Sequence, residues 1–213
     1  EAFAPPDGDS AALQFARALG FTAAIEEGIK VVDLEATEPR WAVLAAEAAR
    51  HHGEYRLVTW HDVVPDELLP GYCRMNEAFN GEAPMGDLDV ENERWDEERV
   101  RSREARLRSG QRHEVGTLAL DRDGAVVGST AVAVSDHSPG HGQQGGTLVL
   151  PAHRGHRLGL GLKVANHRAV RDRFPACRVL VTGNADVNAP MNAVNDALGF
   201  EYVERCIEVQ RDL

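Results

Sequence analysis

Cysteine is scarce in this sequence, and where it occurs it is badly placed for chemistry. Cys73, Cys177 and Cys206 are the only three in 213 residues. They are odd in number, far apart and form no C-x-x-C pair, so neither a disulfide framework nor a zinc site is suggested. Reduced thiols in a cytoplasmic protein, with no bound metal, are the expectation. Long apolar runs are missing too: nothing approaches the roughly 18–20 residues of a membrane span. The N-terminus lacks the basic flank and apolar centre of a secretory signal. Positive charge is in deficit, with 23 Lys and Arg against 34 Asp and Glu and a net charge of −11. That excludes the basic face a nucleic acid would need.

What is present suits a globular chain: 43% hydrophobic and 27% charged residues. The acid is unevenly spread. Glu82, Asp87, Asp89, Glu91, Glu93, Asp96, Glu97 and Glu98 crowd one stretch. Two readings stay open there, a solvated loop and helix start or an acidic lip that attracts a cationic substrate.

Periodicity and punctuation give an element order. Ala11 to Leu19 reads as a short helix closed by Gly20, followed by a strand to Leu34. Residues 39–51 read as a helix with Pro39 in its first turn. Tyr55 to Trp60 suits a strand, and Pro65 opens a helix to about Asn80. A Gly/Pro/acid-rich loop covers 81–94 and a charged helix 95–109. Val115–Leu120 and Ala125–Val134 flank Asp121-Arg122-Asp123-Gly124, a hairpin signal. A Gly/His/Pro-rich loop over 136–146 leads to a strand at Thr147–Leu150. Then come a helix at Leu158–Phe174, a strand at Arg178–Thr182, a helix from Asn188 to Leu198 capped by Gly199, and a last strand from Glu201 to Gln210. The layout is α/β.

One repeat affects the domain count. Ala18-Leu19-Gly20-Phe21 recurs as Ala197-Leu198-Gly199-Phe200, and Asp33-Leu34 recurs at the same spacing as Asp212-Leu213. The expectation is that residues 1–34 are the last helix and strand of a preceding, related domain. Residues 35–53 would be a linker helix and 54–213 the domain proper, the chain being the C-terminal part of a tandem protein.

The chemistry concentrates at one junction, where the strand Thr147-Leu148-Val149-Leu150 runs through Pro151 and the turn His153-Arg154-Gly155-His156-Arg157 into the helix Leu158-Gly159-Leu160. A strand–glycine–helix junction exposes the first-turn amides. With the helix dipole these form an anion site suited to a pyrophosphate. Arg154, His156 and Arg157 add positive charge to an otherwise acidic chain. The run is neither the phosphate loop of nucleoside triphosphatases, since G-x-x-x-x-G-K-[ST] is absent, nor the dinucleotide fingerprint G-x-G-x-x-G.

The stretch Val149-x-Pro151-x-x-Arg154-Gly155-x-x-x-Gly159 resembles the pyrophosphate loop of GNAT acyltransferases, Gln/Arg-x-x-Gly-x-Gly/Ala, with Arg157 in place of the middle glycine. Asn188-Ala-Pro-Met191-Asn-Ala-Val-Asn195-Asp-Ala-Leu-Gly199-Phe200 resembles the second signature of that superfamily, with Asn195 where tyrosine is usual. The nearest likeness is to the C-terminal domain of actinobacterial tandem GNAT proteins that carry His-Arg-Gly-His-x-Leu-Gly, here His153–Gly159.

The resemblance implies a mixed, mostly antiparallel central sheet flanked by helices on both faces, with splayed central strands. It implies acetyl-CoA as acyl donor, held by Thr147, Leu148, Val149, Arg154, Gly155, His156, Arg157, Leu158, Gly159, Leu160, Asn188, Met191 and Asn195. Val149, through its amide at the thioester oxygen, and Asn195, a hydrogen-bond donor to sulfur but no general acid, would be the catalytic residues. The acceptor would be a primary amine of a small molecule, cationic if the acidic stretch is a lip that attracts it, and an upstream GNAT-like domain or a second copy would be the partner. A CoA-binding domain without turnover is the alternative, and O- or S-acyl transfer is not excluded. Asp136, His137, His141 and Glu82 are candidate bases. His51-His52 could ligate a metal or simply solvate a helix end, His113-Glu114 opens a strand, and Trp60 and Trp95 could line an acceptor site or pack.

Overall fold

A computed structural model describes residues 1–5, 8–82 and 94–211, the side chain of residue 80 excepted. In chain order the elements are β1 (Ala2–Ala4), α1 (Ala11–Ala18), β2 (Thr22–Asp33), α2 (Leu34–Ala49), β3 (Arg56–His61), α3 (Leu69–Glu82) and α4 (Glu97–Ser109). They continue with β4 (Arg112–Leu120), β5 (Val126–Ser135), β6 (Ser138–Val149), α5 (Leu158–Arg173), β7 (Val179–Ala185), α6 (Ala189–Leu198) and β8 (Glu201–Gln210). Single 3-10 turns precede α3 and α5. The fold is α/β. The chain divides into two compact units, the larger comprising described parts of Asp33–Ala83 and Asn92–Leu180, the smaller of Glu1–Val32 and Val181–Leu213.

In the larger unit β3, β4, β5 and β6 form consecutive antiparallel pairs. Alternation along the strands sends side chains to two helical layers. Trp60, Leu118, Leu120, Val126 and Leu148 pack with Leu68, Leu69, Tyr72 and Met75 from the α3 side and Val100 from α4. Ala119 and Val127 pack on the other face against Leu158 and Leu162 of α5. Leu158 and Leu162 are one helical turn apart and both buried. Burying each contributes about 2 kcal/mol, which fixes the start of α5 against the sheet.

Several expected boundaries move, three of them as follows. The helix placed at 39–51 begins at Leu34, because the Asp33 side chain accepts from the Ala36 amide and caps it; Pro39 therefore lies inside the helix, not in its first turn. The helix expected from Pro65 begins as the 3-10 turn Asp66–Leu68 before α3. The loop expected at 136–146 is most of β6, joined to β5 by a tight turn at Asp136-His137. Its glycines serve close packing: a Cβ on Gly142 would meet Leu180 at 2.7 Å, and one on Gly146 would meet the Phe79 ring at 2.3 Å.

The smaller unit holds strands in the order β1-β8-β2-β7. β2 and β8 pair antiparallel, and Glu27 pairs with Cys206, its counterpart at the repeat spacing of Phe21 to Phe200. The pairs Thr22↔Gln210 and Val31↔Glu201 are related by the same two-fold. Each strand skips one residue, Ala24 in β2 and Val203 in β8, and these are counterparts as well. Gly20 and Gly199 close α1 and α6 with φ of 80° and 86°. β1–α1–β2 and β7–α6–β8 thus share one βαβ layout and pair through their last strands. Asp212 and Leu213, the second element of the sequence repeat, lie outside the described residues, as do Asp87, Asp89, Glu91 and Glu93 of the acidic stretch.

Candidate functional site

The junction between β6 and α5 is built from its backbone outward. The Leu150 amide donates to the Val127 carbonyl of β5 at 2.9 Å. Successive residues of an antiparallel strand present their peptide groups to opposite edges. Leu148 and Leu150 therefore face β5, and the N–H and C=O of Val149 face away from it. In agreement, the Val149 carbonyl accepts from Arg154 Nε at 3.0 Å. Thr147 and Leu148 pair with Thr130 and Ser129.

After the 3-10 turn Pro151–His153, the chain reverses through two left-handed residues, Gly155 (φ 85°) and Arg157 (φ 54°). A Cβ on Gly155 would meet nothing within 4 Å, so glycine is there for its torsion and not for space. Arg157 takes the same region with a side chain, which costs about 1–2 kcal/mol. Its ion pair with Glu47 at 2.6 Å is exposed and offsets less than about 1 kcal/mol. Arg157→Gly is therefore expected to raise stability by about 0.5–1 kcal/mol, readable as a Tm increase of roughly 1–4 °C. A fall in Tm would mean that the ion pair outweighs the torsion.

Arg157 is also the N-cap of α5, and no side chain caps that helix end. At α1, α2, α4 and α6 the residues Ser10, Asp33, Asp96 and Asn188 each accept from a first-turn amide. The sixteen-residue α5 instead begins Leu158-Gly159-Leu160 behind a cation. Around it, Arg154 pairs with Glu82 at 2.6 Å. His156 Nδ1 lies 3.3 Å from the His51 carbonyl, and Tyr55 hydrogen-bonds His153 Nδ1 at 3.1 Å while its ring packs against His156. Both loop arginines thus already hold carboxylates, with which any anion drawn to the helix end must compete.

No protein-family model matches the chain, and no curated protein matches it by sequence. Solved structures do. A tandem GNAT protein from the clavulanic acid biosynthesis pathway, solved without acetyl-CoA, superposes with a TM-score of 0.73 at 28% identity, over 97% of this chain and 61% of that one. A GCN5-related N-acetyltransferase from Sphaerobacter thermophilus gives 0.61 at 16% identity, over 98% of this chain and 58% of that one. AAC(6')-Iy, in complex with the bisubstrate analogue CoA-S-monomethyl-acetylneamine, gives 0.51 at 18%, over 74% of this chain and 99% of its own. This chain has the GNAT fold. It spans less than two-thirds of the length of the first two of these proteins.

Within this GNAT fold the other expected residues are placed as follows. Asn188, Met191 and Asn195 belong to the smaller unit. The Asn188 side chain accepts from the Met191 amide at 3.3 Å and caps α6. Asn195 is fully buried, and its amide nitrogen donates to Asn184 Oδ1. That hydrogen is therefore already engaged.

Asp136 and His137 form the turn at the far end of β6 from Val149. At about 3.3 Å per residue the strand carries them some 40 Å away, and His141 some 26 Å. Asp136 lies instead 3.5 Å from His113 Nε2, and His141 Nδ1 is 3.3 Å from Ser138 Oγ. None of these three can serve as base at Val149. Glu82 remains, on Arg154.

His113 Nδ1 sits 3.2 Å from Asp62, and Glu114 is buried on Arg103, so both are structural. Trp60 is a core residue, edge-on to Tyr72 over Gly116. Trp95 is partly buried with Arg99 over its ring. All three cysteines are buried and free, and desolvation pushes Cys177 and Cys206 up to about 11 and raises Cys73 as well, which makes them poor nucleophiles. Among the described residues no cluster of three His, Cys, Asp or Glu could hold a metal, so His51-His52 lacks a third ligand. No described helix is long and apolar enough to cross a membrane.

Two buried residues that spacing does not single out lie between β6 and α5. Gln144 and His167 are hydrogen-bonded to each other at 3.0 Å beneath the bend in β6.

Proposed function

We propose that the chain binds acetyl-CoA at the β6–α5 junction and transfers its acetyl group to a primary amine of a small molecule. The observation that carries this reading is the N-terminus of α5: a long helix with no capping side chain, entered through two left-handed residues and flanked by Arg154, His156 and Arg157. The amides of Leu158, Gly159 and Leu160, Gly155 in the turn and the helix dipole suit a pyrophosphate. Thr147, Leu148 and Val149 would lie along the pantetheine arm.

Acetyl-CoA supplies the acyl group already activated as a thioester. The protein's part is then orientation and charge stabilisation. The Val149 N–H, aimed away from β5, would donate to the thioester oxygen as negative charge grows there. A neutral amine attacks the carbonyl directly, the C–N bond forming as the C–S bond breaks, so no enzyme nucleophile is required. The amine must lose a proton, and Glu82, held on Arg154, is the candidate carboxylate for that task.

A second reading, CoA binding without turnover, is favoured by Asn195 in place of a phenol and by the distance of Asp136, His137 and His141 from Val149. Titration with acetyl-CoA followed by thiol-release assays over an amine panel separates the two. Binding with turnover supports the transferase, binding without it supports the alternative, and turnover on alcohols or thiols alone would move the reading to O- or S-acyl transfer.

We propose as well that residues 1–34 are the last helix and strand of a preceding GNAT-like domain, with 35–53 as linker helix and 54–213 as the acyltransferase domain. The two-fold register of β2 with β8 and the likeness to a tandem GNAT protein support this. The partner of β1–α1–β2 would then be an upstream domain, and a homodimer is the other form of pairing. Coding sequence upstream of Glu1 for a second such domain is the expected finding, and an unrelated sequence there would contradict it.

A further inference from the structure

Between the pairs Thr130↔Thr147 and Val132↔Gln144, one residue of β5, Ala131, faces two of β6, Gly145 and Gly146. This is a β-bulge. An extra residue reverses the phase of everything after it, since strand residues alternate. Without the bulge Val149 would present its peptide group to β5, and Leu148 would face the opposite edge. The bulge therefore decides which amide is available to a ligand.

What holds the bulge is a buried side-chain pair. Gln144 Nε2 has three acceptors within reach: the Ala131 carbonyl at 2.9 Å, the Gly145 carbonyl at 3.1 Å and Thr130 Oγ1 at 3.1 Å. Two of these are carbonyls of the bulge itself, and carbonyls only accept. The amide cannot turn over without setting Oε1 against them. Oε1 therefore faces His167 Nε2 at 3.0 Å, and that nitrogen must be the donor. Gln144, His167 and Thr130 are 2%, 0% and 3% exposed, so water does not compete. Thr130 Oγ1 passes the connection to Thr147 Oγ1 at 2.7 Å, the first residue beyond the bulge. On the opposite face the Phe79 ring covers Gly146.

We infer that Gln144 and His167 are positioning residues for acyl transfer: by fixing the bulge they turn the Val149 amide outward. This role rests on the acetyl-CoA reading of the same junction. His167 orients the Gln144 amide from α5, the helix that also carries the loop's amides, so one helix sets both the phosphate-binding end and the amide at the thioester.

The test compares Gln144→Met, His167→Leu and His167→Gln with the wild type. Hydrogen exchange at the amides of 145–149 is read without any ligand, then CoA affinity, kcat and KM. Gln144→Met keeps the volume and loses the bonds; exchange at 145–149 should speed at least about tenfold relative to the rest of β5 and β6. Its kcat should fall at least about tenfold while CoA affinity stays within about threefold. His167→Leu should show the same pattern more weakly, and it serves as the probe if Gln144→Met does not fold. His167→Gln, which restores an N–H near the position of Nε2, should return kcat to near the wild-type value.

Unchanged exchange at 145–149 and unchanged kcat in folded Gln144→Met would overturn the inference. So would an equal fall in kcat and CoA affinity, which a purely structural loss produces. A wild-type chain that turns over no amine overturns the transferase reading and this role with it, whereas wild-type turnover with undiminished kcat in Gln144→Met overturns this role alone.

Discussion

Gly159→Glu should weaken CoA binding at least about a hundredfold while the fold becomes no less stable. Gly159 lies in the first turn of α5. A glutamate there replaces a poor helix former with a good one and adds negative charge at the positive end of the helix dipole, each worth several tenths of a kcal/mol in favour of folding. The same carboxylate would stand where a pyrophosphate is to be held. Two like charges about 4 Å apart repel by roughly 4 kcal/mol at a partly screened site, more than enough for a hundredfold loss. Opposite signs for stability and affinity make the result hard to mistake for misfolding. Calorimetric titration with acetyl-CoA beside a thermal melt reads both, and undiminished affinity would place the anion site in another loop.

The second large effect is on acid stability and comes from His167. Burial, reinforced by the charge of Lys163 on the same helix, lowers its pKa to about 3 from an ordinary value of 6.5. Between those values the unfolded chain binds a proton on this imidazole and the folded chain does not. The free energy of unfolding therefore rises with pH across that window. The contribution is complete above about pH 6.5 and drains away as pH falls toward 3, at about 1.4 kcal/mol per pH unit. Carboxylates titrate in the same range, so the informative quantity is the difference between wild type and His167→Gln, which has no proton to gain. By pH 4.5 the wild type should have lost about 3 kcal/mol more than the variant, measured by denaturant unfolding from pH 7 downward. Parallel curves would show that the imidazole is not held neutral in the core.

Much of the junction was legible in the chain because its signals are local. The left-handed glycine after α6, the span of β8 and the strand–glycine–helix order around Gly155 all follow from residues within one turn of each other. Arg154, Gly159 and Asn188 carry a resemblance in the sequence that points to the GNAT fold. Where reading failed, the deciding partner was distant or the punctuation ambiguous. Glycine and histidine over 136–146 looked like a loop, yet Gly142 and Gly146 are strand residues made necessary by Leu180 and Phe79. Asp33 starts α2 through a cap that the proline six residues later obscured. Glu82 reaches Arg154 from 72 residues away and His167 reaches Gln144 from 23, separations that no periodicity announces. Arg157 marked itself as a departure from pattern, but only the torsion shows why glycine belongs there.

At the β6–α5 junction the proposed reaction moves the acetyl group of acetyl-CoA to an amine. Titration of the wild-type chain with acetyl-CoA, followed by thiol release over a panel of small amines, tests it most directly. Saturable one-to-one binding with amine-dependent release of CoA thiol is the predicted result; no heat of binding and no thiol from any amine would contradict it.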